Sequence, residues 1–309
     1  MNLLVEILVC FLQCVWLWLV AIFKAVVPVS LQPHKDVSGW VVLVTGAGSG
    51  LGRLMSLRFA AQGCRLVLWD INEDGNQETA ELVKEATPAA DIRTYTVDLA
   101  SREEIYQAAD RVKEEVGDVD ILVNNAGIVT GTKFLDSPDG LNVKTMDVNC
   151  NAHFWTVKSF LPAMLEKNNG HIVSIASAAG LFGVTGLADY CASKFAAVGF
   201  HESLRGELEK LGKTGVKTTV VCPFYINTGM FAGAKTRFPA VLRFLEPSFV
   251  VNRIIEAVLT DQAMLCVPKS VYFFYILRGI IPISVNHKLG QLLGVSSTMD
   301  EFVGRNKSK

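Results

Sequence analysis

A glycine-rich segment, Thr45–Gly52 (TGAGSGLG), separates a β-branched run from a helical stretch. Glycines at such a turn let the backbone approach a ligand closely, and the free N–H groups of the following helix attract an anion. This strand–turn–helix order predicts a site for the pyrophosphate of a dinucleotide. The residues predicted to contact it are Gly46, Ser49, Gly50, Leu51 and Gly52.

From residue 40 to residue 268, short β-branched runs alternate with longer amphipathic stretches. This alternation predicts one α/β domain, a doubly wound parallel sheet (Rossmann fold) whose ligand crevice lies at the carboxyl ends of the strands. The predicted strands are Val41–Thr45, Arg65–Asp70, Ile92–Asp98, Val119–Asn125, His171–Ser177, Val216–Cys222 and Met264–Pro268. The predicted helices are Gly52–Gln62, Asn76–Ala86, Ser101–Val116, Leu141–Lys167, Asp189–Leu211 and Ser248–Thr260.

The N-terminal run Ile7–Phe23 contains seventeen residues without a charge, close to the shortest length that spans a membrane. The early charged residue is Glu6 and no Ala-x-Ala cleavage pattern follows, so we predict a retained membrane anchor rather than a signal peptide. Lys24 and Lys35 follow the run, which places the rest of the chain on the cytoplasmic side.

A second apolar segment, Val271–Ile283, is too short to span and contains Arg278. It is expected either to lie in a membrane interface or to pack on the domain as a helix. The predicted organisation is an anchor at residues 1–35, the Rossmann domain at 36–270 and an apolar extension at 271–309, for which membrane association and packing on the domain are the two alternatives.

Charge and cysteine usage exclude several classes of protein. The formal net charge is −1 and no basic run occurs, so no nucleic-acid partner is expected. The seven cysteines contain no Cys-x-x-Cys pair, which argues against a metal site or a disulfide framework and fits a reducing compartment.

Asp70 ends the second predicted strand, where a carboxylate can accept hydrogen bonds from the ribose hydroxyls and would repel a 2′-phosphate. Neither of the next two residues is basic, so NAD is predicted in preference to NADP. The alternative is that Asp70 only caps the next turn. Asp98 is predicted to touch the adenine ring. Asn125, in the segment Asn124–Gly127 (NNAG), is predicted to lie beneath the cofactor or to fix the turn.

Tyr190 and Lys194 are four residues apart in a predicted helix and therefore share one face. A nearby ammonium is expected to lower the pKa of the phenol, which lets Tyr190 exchange a proton with an alcohol while a hydride moves. Ser177 ends the preceding strand and is expected to orient the substrate oxygen. Asn149 either maintains a water path to Lys194 or makes only local hydrogen bonds.

These motifs occur in the order TGxxxGxG, NNAG, Asn, Ser and YxxxK, and the chain resembles the classical short-chain dehydrogenase/reductase superfamily over about residues 39–268. The resemblance implies that Ser177, Tyr190, Lys194 and Asn149 form a catalytic tetrad. It also implies that Thr228 binds the nicotinamide carboxamide and that the protein is a homodimer.

Longer segments, such as DVNCNAHFWTVKSFLPAM and DYCASKFAAVGFHESL, are similar to the membrane-bound retinol dehydrogenase and 17-beta-hydroxysteroid dehydrogenase subgroup. This similarity implies a lipophilic alcohol as substrate, all-trans-retinol first and a 17-beta-hydroxysteroid as the alternative. It also implies that the protein is located on the endoplasmic reticulum membrane or on a lipid droplet. A membrane scaffold without turnover is the alternative from a different functional class.

The segment 224–247 lies where this family places its substrate loop, and it is rich in aromatic residues. They are expected to line an apolar substrate wall or to fill the core of the domain. Many family members have glycine after Pro223, whereas this chain has phenylalanine. The aromatic residues are Phe224, Tyr225, Phe231, Phe238 and Phe244.

Overall fold

The computed structural model describes residues 3–239 and 242–304. Within them, seven strands form one sheet in the order β3-β2-β1-β4-β5-β6-β7, and every neighbouring pair is parallel. The predicted doubly wound fold is confirmed. The strands are β1 Val41–Thr45, β2 Arg65–Asp70, β3 Ile92–Thr96, β4 Ile121–Asn124, β5 Gly170–Ile175, β6 Val216–Pro223 and β7 Met264–Val267.

Two layers of helices cover the sheet. The helices α2, α3 and α8 pack on one face, and α4, α6 and α7 pack on the other. The central strands read as continuous apolar runs because both of their faces are buried. The helices that follow β1 in the chain are α2 Gly50–Ala61, α3 Glu73–Ala86, α4 Arg102–Glu115, α5 Asp139–Met146, α6 Ala152–Lys167, α7 Ala188–Lys210, α8 Pro247–Leu259, α9 Ser270–Ile280 and α10 Ile283–Leu293.

The strand order reverses between β1 and β4, so the segments that follow these two strands diverge and leave a crevice at their carboxyl ends. The register pairs Val44 with Val123. The glycine-rich turn and the NNAG segment therefore leave the sheet side by side, which is the geometry that a dinucleotide site requires.

One predicted helix is divided in the structure. The sequence predicts one continuous helix over residues 141–167, but the five residues Asp147–Asn151 form a π-helical turn between α5 and α6. Such a turn widens the helix by one residue and is often found at functional sites. It contains Asn149, whose side chain is buried.

Helix α1, Leu3–Val26, belongs to a separate compact unit, residues 1–36. Its segment Leu3–Phe23 is long and apolar enough to cross a membrane. The other unit, residues 37–309, includes the sheet together with α9 and α10, so the predicted extension is continuous with the domain. Positions 305–309 of that extension lie outside the described residues.

We expect Phe59→Ala to lower the free energy of unfolding by about 3–5 kcal/mol, because a large buried ring leaves a cavity when it is removed. Phe59 is 0% exposed between the sheet and α8. Urea denaturation followed by circular dichroism measures the change. Leu211→Ala, at a side chain that is 62% exposed, is the control and should have little effect.

Candidate active site

The glycine-rich turn has the local geometry of a phosphate-binding loop. Gly46 has a φ of +66°, in the left-handed region that favours glycine, and α2 begins at Gly50, so its N-terminus faces the turn. A Cβ at Gly52 would lie 2.0 Å from the Gly46 carbonyl oxygen. Gly52 therefore allows α2 to pack closely on the turn, while the other predicted residues of the turn face the crevice.

A cleft of about 480 Å³ opens at the carboxyl ends of the strands. It brings together nearly all the predicted site residues, from the glycine-rich turn to the substrate segment. Gly52 and Asn149 lie behind its wall. The predicted residues that line it are Gly46, Ser49, Gly50, Leu51, Asp70, Asp98, Asn125, Ser177, Tyr190, Lys194 and Thr228.

Asp70 both lines the cleft and braces the turn. Its Oδ2 accepts a hydrogen bond from Gly48 N at 2.8 Å, and its Oδ1 accepts one from Asn72 N at 2.9 Å. These two hydrogen bonds are those of the alternative prediction, in which Asp70 caps the turn, and binding of a ribose by Asp70 stays a prediction. The side chain is half-buried and lines the cleft.

Asn125 connects the two sides of the crevice. Its Nδ2 donates to the Thr45 carbonyl oxygen at 2.8 Å and to that of Gly46 at 3.2 Å, while its backbone N–H donates to Thr45 Oγ1 at 2.9 Å. This amide fixes the glycine-rich turn against β4. The side-chain contacts of Asn125 are therefore those of the alternative prediction, in which it fixes the turn.

Tyr190 and Lys194 lie on the same face of α7 and are 4% and 3% exposed. Lys194 Nζ lies 5.7 Å from the centroid of the Tyr190 ring and donates to the Ile175 carbonyl oxygen at 2.9 Å. Ser177 is hydrogen-bonded to Tyr190, and its Oγ also accepts from Ala179 N at 3.1 Å. The three predicted groups therefore converge at the end of β5.

Burial controls the ionisation of this pair. It raises the pKa of Tyr190 well above its ordinary value, against a smaller lowering by the hydrogen bond to Ser177. It also lowers the pKa of Lys194 to about 8. In the chain itself the pKa of Tyr190 is therefore raised and not lowered as predicted, because desolvation dominates and the Lys194 ammonium is directed at a backbone carbonyl.

Asn149 joins α7 to the segment after β4. Its Oδ1 accepts from Ile128 N at 2.8 Å, and its Nδ2 donates to Ile128 O at 3.0 Å and to Ser193 Oγ at 2.9 Å. Ser193 Oγ in turn donates to the Tyr190 carbonyl oxygen at 2.8 Å. The sequence reading missed Ser193, although a serine three residues after Tyr190 in a helix can form this backbone bond.

An aromatic cluster covers the substrate side of Tyr190. The Phe231 ring meets Tyr190 edge-on at 5.7 Å between centroids, and Tyr225 contacts Phe231 at 5.0 Å and stacks on Phe244 at 5.3 Å. Phe224 lines the cleft and packs on Tyr225. Phe238, by contrast, is 39% exposed and lies outside this cluster.

The end of the chain also contributes to this cluster, which the sequence reading did not anticipate. Met299 is buried beside Tyr190 and Tyr225, and Phe302 contacts Phe231 at 6.5 Å between ring centroids. The Phe302 ring occupies the space in front of Gly131, where a Cβ would lie 2.0 Å from it. No local pattern signals this contact, since 171 residues separate the two partners.

The family model of the short chain dehydrogenases matches residues 40–237. The chain belongs to this family. Membership confirms both the predicted family and the predicted class of enzyme, an NAD(P)-dependent dehydrogenase.

Two curated relatives are similar over most of this short-chain dehydrogenase. Epidermal retinol dehydrogenase 2 of Mus musculus is 53% identical over 276 residues, which cover 89% of each chain. Retinol dehydrogenase 10 of Homo sapiens is 44% identical over 332 aligned positions, which cover 99% of this chain and 96% of that one.

Solved structures share the fold and carry nicotinamide dinucleotides. A short-chain dehydrogenase/reductase from Burkholderia phymatum in complex with NAD has a TM-score of 0.72 at 26% identity, covering 82% of this chain and 96% of that one. A metagenomic short-chain oxidoreductase in complex with NADP has a TM-score of 0.63 at 26% identity, covering 75% and 96%.

We expect Asp70→Asn to reduce kcat/KM for NAD by about tenfold, about 1.4 kcal/mol. The ratio of kcat/KM for NAD to that for NADP should also fall, because the charge that repels a 2′-phosphate is removed. The amide retains one oxygen acceptor and most of the volume. Initial rates with each dinucleotide measure the change. Asp110→Asn, at an exposed carboxylate on α4, is the control. An unchanged NAD-to-NADP ratio would contradict the role of Asp70.

We expect Lys194→Met to remove activity. Relative to wild type, its free energy of unfolding should be about 3 kcal/mol higher near neutral pH than at pH 10.5, because the buried ammonium costs desolvation energy. The pKa of Lys194 falls from 10.5 to about 8 on folding, so the cost is complete below about pH 8 and shrinks as the pH rises to 10.5. The difference in unfolding free energy should shrink over the same range.

Urea denaturation of both proteins across this pH range, without added dinucleotide, measures the effect. Lys210→Met, at an exposed position in the same helix, should change the stability little at any pH. If the difference in unfolding free energy between wild type and Lys194→Met were constant across this range, the lowered pKa of Lys194 would be contradicted.

Proposed function

We propose that this short-chain dehydrogenase uses NAD to oxidise a membrane-dissolved lipophilic alcohol, all-trans-retinol, to the aldehyde. The observation that carries the proposal is the edge-on contact of Phe231 with the buried Tyr190, which gives the proton-transfer group an apolar wall. The names of the two relatives support a retinoid. The carboxylate of Asp70 supports NAD, since it disfavours a 2′-phosphate.

The chain's own residues account for cofactor binding. The N–H groups of the turn and of the first residues of α2 would hold the pyrophosphate, Asp70 the adenosine ribose, and Thr228 the carboxamide. Asp98 and Lys194 both line the cleft, and we propose that Asp98 contacts the adenine ring and Lys194 the nicotinamide ribose. When bound, the oxidised nicotinamide accepts the hydride that leaves the alcohol carbon.

Tyr190 acts as the general base of the oxidation. The alcohol oxygen would bind between the Ser177 hydroxyl and Tyr190 Oη. Tyr190 acts as the phenolate, its own proton having left to solvent beforehand, and Oη accepts the alcohol proton as the electron pair of the C–H bond departs with the hydride. Because burial raises the pKa of Tyr190 in the chain without cofactor, the phenolate requires positive charge beside it. The Lys194 ammonium, below its pKa of about 8, supplies part of that charge.

Asn149 and Ser193 are positioning residues in this scheme. Their hydrogen bonds connect the segment after β4 to the Tyr190 turn of α7, so they hold the phenol at a fixed depth in the cleft. Asn149 is also proposed to lie on the path by which the proton leaves Lys194 for solvent.

The anchor and the location are part of the same proposal. Helix Leu3–Phe23 would hold the enzyme on the endoplasmic reticulum membrane or a lipid droplet, with the domain on the cytoplasmic side. Residues 1–35 are proposed as the anchor, 36–270 as the catalytic domain and 271–309 as a membrane-associated extension. A homodimer is proposed from the family resemblance.

We expect Tyr190→Phe to lower the rate of retinol-dependent NADH formation by at least about a hundredfold, because the proton acceptor is lost. The full chain in phosphatidylcholine vesicles is supplied with NAD and either all-trans-retinol or estradiol. Tyr106→Phe, on the outer helix α4, is the matched control and should retain full activity.

The two substrates and the two variants separate the alternatives. Turnover of estradiol alone would move the protein to 17-beta-hydroxysteroids with the same catalytic residues. No turnover of either alcohol, with NAD binding intact, would favour a scaffold. Equal rates for wild type and Tyr190→Phe would contradict the mechanism.

A further inference from the structure

Large exposed hydrophobic side chains are concentrated at one edge of the sheet. Among the described residues from 37 onward, such side chains lie in the loop that follows the carboxyl end of a strand, in the first turns of the next helix, or in the segment after β7; the exceptions are Phe195, part-way along α7, and Leu211, at its far end. This is also the edge at which the catalytic cleft opens. An exposed apolar surface that is confined to one side of a domain indicates an interaction surface.

The helices α9 and α10 supply the largest part of this surface. On α9, Phe273, Ile276 and Ile280 are spaced i, i+3 and i+7 and are 62%, 63% and 75% exposed. On α10, the spacing i, i+4 and i+7 places Val285 and Leu292 on one exposed face together with Leu289. Each helix therefore presents a continuous apolar stripe to its exterior.

Hydrogen bonds to the domain hold both helices in place. The Arg278 guanidinium donates to the Leu181 carbonyl oxygen, and the Tyr272 hydroxyl donates to Met264 O at 2.7 Å. Arg237 Nη1 donates to the Leu292 carbonyl oxygen at 3.1 Å. The apolar stripes are thus a fixed feature of the surface and are not available to fold back into the core.

The charge of this region selects the partner. No aspartate or glutamate occurs from position 262 to position 299, whereas Lys269, Arg278 and Lys288 are present and exposed. Apolar stripes on a segment whose charged side chains are all cations suit the boundary between acyl chains and anionic headgroups. At 11 residues each, about 16 Å in length, the helices are too short to span a bilayer and would lie in its surface.

We infer that the outer face of α9 and α10 docks on an anionic lipid surface and directs the mouth of the catalytic cleft toward it. The inference rests on the membrane-associated extension of the proposed function, but it does not depend on which alcohol is oxidised or on whether the N-terminal helix spans the bilayer. It assigns the apolar surface of the active-site edge to lipid rather than to a second copy of the chain.

The test is site-specific photo-cross-linking in the full chain. The variants Ile276→p-benzoylphenylalanine and Leu211→p-benzoylphenylalanine carry the photoreactive group at sites that are 63% and 62% exposed but at opposite edges of the sheet. Each is reconstituted in phosphatidylcholine vesicles with and without phosphatidylserine, and lipid adducts are measured by mass spectrometry. Retained NAD binding verifies the fold of each variant.

The expected result is a severalfold higher yield of lipid adducts at position 276 than at position 211, increased further by phosphatidylserine. Lys288→Glu, introduced together with the label at 276, should remove most of that increase. Equal yields at the two positions, equal yields with and without phosphatidylserine, or adducts between two chains in place of lipid would each overturn the inference.

Discussion

The contact between β1 and β4 is the constraint on which the catalytic cleft depends. The strand order reverses at this pair, so the crossovers depart to opposite faces and leave room for a ligand at the strand ends. The Asn125 side chain then connects the two diverging segments through the carbonyl oxygens of Thr45 and Gly46. If this amide were lost, the glycine-rich turn would lose two hydrogen bonds to the segment after β4 and would keep the one that Asp70 accepts from Gly48.

The second organising element is α7, which carries both the phenol and the amine. Two kinds of contact fix its depth: Lys194 donates to the end of β5, and the π-helical turn contacts Ser193 through Asn149. Buried polar groups of this kind are satisfied by specific partners, so they specify one arrangement of the helix. The apolar packing of α7 on the sheet could by itself tolerate small shifts along the helix axis.

Much of this architecture follows from local sequence pattern. The strands are β-branched runs, the turn is rich in glycine, and the spacing of Tyr190 and Lys194 places them on one helical face. The features that were missed depend on distant contacts. The π-helical turn has no recognisable composition, and the ionisation of Tyr190 depends on burial, which is a property of the assembled fold. The contact of Phe302 with Gly131 likewise has no local signal.

The position of Met299 and Phe302 beside the aromatic cluster has a consequence for protein synthesis. All seven strands and the four predicted catalytic residues precede position 268, so the ribosome has completed the sheet before it reaches the residues that close the wall around Tyr190. A nascent chain can therefore possess its catalytic groups while its site is still open on one side. The wall is completed only when the segment that contains Met299 and Phe302 has been synthesised and has packed on the cluster.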